Sequence, residues 1–119
     1  MALEPFEPQR PQVSVDTFQA LDLRVGRIER AERFPEARKP AYRLWIDLGP
    51  LGIRRSSAQI TDLYRPEDLV GRLVVAVVNL PPRQVGPFLS EILVLGVKTD
   101  QGVVLLEPDR AVEPGSPIF

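Results

Sequence analysis

Hydrophobic and polar positions alternate along most of the chain with the period of strands. The clearest case is Tyr42–Leu48, where Leu44, Ile46 and Leu48 fall on one face and Arg43, Trp45 and Asp47 on the other. Leu23–Phe34 alternates too, but its apolar positions change parity after Val25-Gly26, which predicts a bulge or sharp bend at Gly26. Gly49-Pro50-Leu51-Gly52 is a turn, so Tyr42–Leu48 and Ile53–Ala58 read as a hairpin, the second strand polar at its centre. Leu73–Val78 and Ile92–Val97 are short, continuous runs of Val, Leu, Ala and Ile with no polar face, and both are expected as largely buried strands. Between them lies Asn79–Glu91, whose three prolines and one glycine end both strands and predict a stiff, preformed loop that presents side chains. Val103–Leu106 is a further short strand.

Helical signals are few. Ser14 or Asp16 can cap a short helix in which Val15, Phe18 and Leu21, three apart, form one stripe. So short a helix exists only if it docks on something. Thr61–Gly71 reads as a turn or helix between the third and fourth strands, with Tyr64 and Leu69 tucked under the sheet. Residues 1–13, rich in proline and acid, read as an extended arm, and 14–119 as one domain. The terminal Ile118-Phe119 read as exposed apolar residues that should dock somewhere. Five or six short strands with one helical turn describe an all-β, five-stranded OB-fold barrel with a short N-terminal helix and an extra C-terminal strand. An SH3-like barrel or a small sandwich is the alternative from pattern alone.

Composition narrows the chemistry. With no cysteine and no histidine among 119 residues, there is no Cys/His zinc site, no disulfide, no imidazole base and no His-activated nucleophile. The expectation is a non-enzyme without cofactor or metal. The first residues lack the basic and apolar regions of a signal peptide, and no apolar run is long enough to insert in a membrane, so a cytoplasmic location is expected. Charge is uneven: from Arg24 to Arg83 twelve basic residues face seven acidic ones, while the rest of the chain is acidic. A basic middle attracts polyanions, or is simply a salt-laced surface. Thirteen of the fifteen basic residues are arginine and thirteen residues are proline, a composition that also suits heat tolerance.

Four stretches carry more than pattern: Asp22–Ile28 (DLRVGRI), Ser56–Thr61 (SSAQIT), Asn79–Arg83 (NLPPR) and Ser90–Gly96 (SEILVLG). Together they resemble the CsaA family of protein-secretion chaperones, a branch of the wider tRNA-binding OB-domain family that is also appended to methionyl- and phenylalanyl-tRNA synthetases. The resemblance runs from about Phe18 to Phe119. It implies a homodimer, with the N-terminal helix and the C-terminal segment in the subunit contact. It also implies binding of unfolded or presecretory polypeptides, with tRNA and the export machinery as further partners. The ligand surface is then the strand Arg54–Gln59 and the loop Asn79–Glu91, with Arg54, Ser57, Gln59, Asn79, Arg83, Phe88 and Ser90 as candidate contacts, and Arg38, Lys39 and Trp45 beside them. The family pattern departs at Gln84 and Leu89, neutral where it tends to be basic, which weakens phosphate binding. Ile92 departs from the tRNA-binding branch, where methionine is usual. Several candidates have structural readings as well. Ser56 and Ser57 can satisfy backbone groups, Gln59 and Asn79 can brace the loop, Arg83 can pair with Glu91, Phe88 can anchor the loop, and Trp45 can lie under a loop or in a subunit contact.

Overall fold

Alternation drives the long segment after the first helix into one strand that two neighbours share. The computed structural model describes residues 7–119, so the first six residues of the expected arm lie outside the described residues. Residues 7–14 have no regular secondary structure and are exposed. Helix α1 is Val15–Gln19, capped by the Ser14 hydroxyl, which accepts from the Thr17 N–H at 3.2 Å. Strand β1 is Leu23–Arg33, β2 is Tyr42–Asp47 and β3 is Ile53–Ala58. Helix α2 (Pro66–Leu69) leads to β4 (Leu73–Val77). Then follow β5 (Arg83–Val85), β6 (Phe88–Ser90), β7 (Leu93–Val94), β8 (Gly96–Thr99), β9 (Gly102–Leu105) and β10 (Pro117–Ile118).

The strands are ordered β3-β2-β1-β4-β7, all antiparallel, a nearly closed five-stranded barrel of OB type to which β10 adds along β1. Strand β1 pairs with β4 through Leu23–Arg27 and with β2 through Arg27–Arg33. No helix among the described residues is long and apolar enough to cross a membrane.

The bulge in β1 lies between Ile28 and Arg30, not at Gly26. Gly26 is there for space: a Cβ at that position would overlap Ile46 Cγ2 and lie 2.9 Å from Leu48 Cδ2. Its parity change arises because Leu23 and Val25, on the other face, are buried as well. Inside the barrel Ile28, Leu44, Ile46, Leu48, Leu69 and Val74 have no exposed surface. Leu69 of α2 closes one end, and Tyr42 and Tyr64 stitch it: the Tyr42 hydroxyl donates to the Tyr64 carbonyl (2.6 Å), and the Tyr64 hydroxyl accepts from the Leu105 N–H (3.0 Å).

Two expectations fail here. Ile92–Val97 is not one buried strand. It splits at Leu95 as the chain leaves β4 and pairs with β9, and the change of partner leaves Leu93 and Val97 half exposed. The segment Asn79–Glu91 is likewise not an irregular loop but contains a hairpin, β5–β6, turned at Gly86 with φ of 54°.

Candidate functional site

Around Asp22 the chain ties three of its parts together. Arg24 donates to both carboxylate oxygens of Asp22 (2.6 and 3.2 Å) and to the Gly115 carbonyl (3.0 Å), and the bond to Asp22 raises the Arg24 pKa above its ordinary value. The Asn79 carboxamide accepts from the Asp22 N–H (2.7 Å) and donates to the Ala20 carbonyl (2.8 Å). Helix α1, the C-terminal segment and the start of the Asn79–Glu91 stretch therefore share one hydrogen-bonded node. Asn79, a candidate contact, is a clasp, because both ends of its amide are already spent.

Beyond Asn79 the β5–β6 hairpin folds onto the outer face of the barrel. It is held by a second apolar cluster, separate from the core, of Phe34, Ala41 and Phe88 with Ala37, Trp45 and Val85 packed against them. Phe88 meets Phe34 and Trp45 edge-on, with ring centroids 5.5 and 5.7 Å apart. Arginines cover the cluster: Arg30 lies 4.3 Å from the Trp45 ring centre, Arg43 5.3 Å from Phe34 and Arg55 5.4 Å from Phe88. At 5% exposure Phe88 is an anchor and offers a ligand almost nothing. Trp45 is taken up in the same way, between Phe88 and Arg30.

The edge of β3 faces this hairpin, and Ser90-Glu91 occupies it. Glu91 Oε1 accepts from the Arg55 N–H (2.9 Å) and from its guanidinium Nε (3.3 Å). The Glu91 N–H donates to the Arg55 carbonyl (2.8 Å), and the Ser90 hydroxyl accepts from the Ser57 N–H (3.0 Å). Two side chains thus complete a strand edge that would otherwise invite another chain. Glu91 pairs with Arg55, not with Arg83. Arg55 was missed in the sequence because its role depends on a partner 36 residues away.

Alternation also separates two candidates that the sequence reading placed together. In β3 the even positions turn inward: Ser56 is 1% exposed and Ala58 packs on the core. Arg54 shares that parity and donates to the Val78 carbonyl (3.3 Å), so it stands on the face opposite Ser57 and Gln59.

What remains forms a cleft of about 800 Å³ with a floor and two walls. The floor is the end of β3, with Ser57 and Gln59; one wall is the Arg38-Lys39 turn; the other is Leu80-Pro81 and the hairpin, with Arg83, Val85 and Ser90. Ile92 and Leu93 extend it. Of the candidates, Ser57, Gln59, Arg83, Ser90, Arg38 and Lys39 line this cleft, and Arg54, Asn79, Phe88 and Trp45 do not. Arg38, Lys39 and Arg83 are exposed and have no carboxylate in ion-pair range among the described residues. No aromatic side chain among the described residues lines the cleft.

Comparison with known proteins gives concordant results. The family described as "Putative tRNA binding domain" matches residues 23–117. The crystal structure of chaperone CsaA from Bacillus anthracis is 51% identical with a TM-score of 0.87, over 92% of this chain and 100% of that one. That of the CsaA chaperone protein from Picrophilus torridus is 46% identical with a TM-score of 0.87, over 91% and 100%. Methionine–tRNA ligase 1 of Sorangium cellulosum is 45% identical over 109 residues, which is 92% of this chain and 16% of the ligase. The chain therefore spans only a small part of the length of the curated relatives it matches.

Proposed function

The chain belongs to the tRNA-binding domain family, and from that premise we propose that it is a non-catalytic chaperone whose cleft holds unfolded, presecretory polypeptides. The observation that carries this is the cleft lining. Leu80, Pro81, Val85, Ile92 and Leu93 supply apolar surface, Ser57, Gln59 and Gln84 supply groups for a peptide backbone, and aromatic platforms are lacking. Sites for single-stranded nucleic acid stack bases on aromatic rings, and here those rings are packed behind the wall. Because Ser90-Glu91 already fills the β3 edge, a client sits in the cleft by its side chains and does not add as a strand. Chemistry is not part of the role, since the chain has no histidine or cysteine to perform it. The polypeptide is received in the cytoplasm and passed to the export machinery.

The second reading is structure-specific tRNA binding, favoured by the three unpaired cations at the cleft rim and by the family. Titration of a labelled unfolded polypeptide and of tRNA at low and high salt separates the two. Client affinity is expected to change less than threefold, because apolar burial is insensitive to salt, and Arg83→Ala should matter little. Phosphate contacts release counterions, so three of them would cut affinity more than tenfold over a fourfold rise in salt. Tight tRNA binding with that slope, lost in Arg83→Ala, together with no client binding, would move the function to tRNA.

Assembly is proposed to be a two-fold dimer. Val15 and Phe18 on α1 and Leu21 just after it are 70, 44 and 42% exposed, and Phe119 is fully exposed. Such a stripe on a five-residue helix asks for a partner. Light scattering should give twice the 13.3 kDa chain mass at micromolar concentration, and Phe18→Asp should return it to the monomer. A monomer before substitution would refute the dimer.

A further inference from the structure

Past Lys39 the cleft continues. Lys39 and Gln59 also line a shallower recess of about 350 Å³, which Thr61, Asp62, Lys98 and Thr99 share. Cleft and recess thus adjoin at Lys39 and Gln59, the first bounded by the β5–β6 hairpin and the second by strand β8. The chain has thirteen arginines and two lysines, and both lysines stand in this recess, brought there from the β1–β2 connection and from β8. Both are exposed, and neither has a carboxylate in ion-pair range among the described residues, Asp62 included. The Thr99 hydroxyl is spent on its own turn, donating to the Gly102 carbonyl at 2.7 Å. The recess therefore offers two ammonium groups against one carboxylate, with the Gln59 amide between them and the apolar cleft.

We propose that this recess is a carboxylate subsite: a polypeptide lying in the cleft sets an Asp or Glu side chain between Lys39 and Lys98. The inference rests on the polypeptide reading of the cleft and names the clients it prefers, extended segments in which an apolar stretch is followed by an acidic residue. Lysine suits such a site. An arginine fork demands a planar, two-point match, whereas an ammonium on a flexible stem accepts a carboxylate from many directions and so tolerates many sequences. Phosphate would satisfy the lysines equally well, but among the described residues neither the cleft nor the recess carries an aromatic ring on which a base could stack.

Fluorescence anisotropy of the full chain with three labelled, unstructured peptides tests this. They share one apolar stretch and end in Asp/Glu, in the Asn/Gln isosteres, or in Lys. The acidic peptide is expected to bind about fivefold more tightly than its isostere at low salt, the range of exposed ion pairs, and to lose that lead at high salt. Lys98→Gln should abolish the lead and leave the isostere's affinity unchanged, while Lys98→Arg should keep most of it. Equal binding of acidic and amide peptides, or an equal loss for both in Lys98→Gln, overturns the subsite while the cleft reading stands. Binding of none of the three overturns both. An oligonucleotide that displaces the acidic peptide, and whose own binding falls in Lys98→Gln, assigns the recess to phosphate and also overturns it.

Discussion

Gly26→Ala is expected to lower the melting temperature by about 10 °C, although it adds a single methyl group. At this residue the added carbon would fall on Ile46 Cγ2 and against Leu48 Cδ2. Ile46 and Leu48 are completely buried, so neither can swing into solvent. The strands must part or the two side chains must leave their rotamers, and overpacking of this kind costs about 3 kcal/mol. Gly26→Val should be worse and should fail to give soluble protein. Thermal unfolding followed by circular dichroism measures the first. A shift under about 2 °C would mean that the strands give way easily and that the glycine serves something other than close packing.

Phe88→Ala carries the second large effect, and its signature distinguishes an anchor from a ligand platform. Removing a buried phenylalanine costs about 3 kcal/mol or more where the gap cannot collapse. Here Phe34, Trp45 and Arg55 all lose a neighbour. The loss is local, since this cluster is separate from the barrel core. Amide hydrogen exchange should therefore accelerate in Arg83–Ser90 and stay unchanged in β1, β2 and β4. Client affinity should fall about tenfold because the wall bearing Arg83 and Val85 loses its position, an effect of indirect origin. Phe88→Leu, which refills most of the volume, should restore both exchange protection and binding. If leucine restored protection but not affinity, Phe88 would have to touch the client itself.

The arginines noted for composition do specific work on the outer face, where Arg30, Arg43 and Arg55 cover aromatic rings, and Arg43 and Arg30 both pair with Glu32. Lysine at these places would lose the planar stacking that lets one group serve a ring and a carboxylate together.

By itself the sequence determined the barrel. Period-two alternation in Tyr42–Leu48, the Gly49–Gly52 turn and the Ser14 cap are local signals, and each element they predict is present within a few residues. The absence of histidine and cysteine is equally a property of the sequence, and it removes imidazole and thiol groups from any arrangement the chain adopts. It was also clear from the sequence that Ser57, Gln59 and Arg83 would come near one another, through the motifs that carry them.

Tertiary structure alone decided which candidate side chains remain free. Asn79, Phe88 and Trp45 looked like contacts because polar and aromatic residues in a proline-rich loop or on an outer strand face are usually exposed. Here each found a partner from a distant segment: Ala20 and Asp22 for Asn79, Phe34 for Phe88, Arg30 for Trp45. Arg54 was separated from Ser57 by the parity of one strand, and Gly26 was misread as a bend because a close approach involves a strand far along the chain. The placing of Lys39 and Lys98 at one recess is of the same kind. Local periodicity reports what a residue's neighbours in sequence require, whereas partnership across the barrel depends on register and closure, which no single stretch encodes.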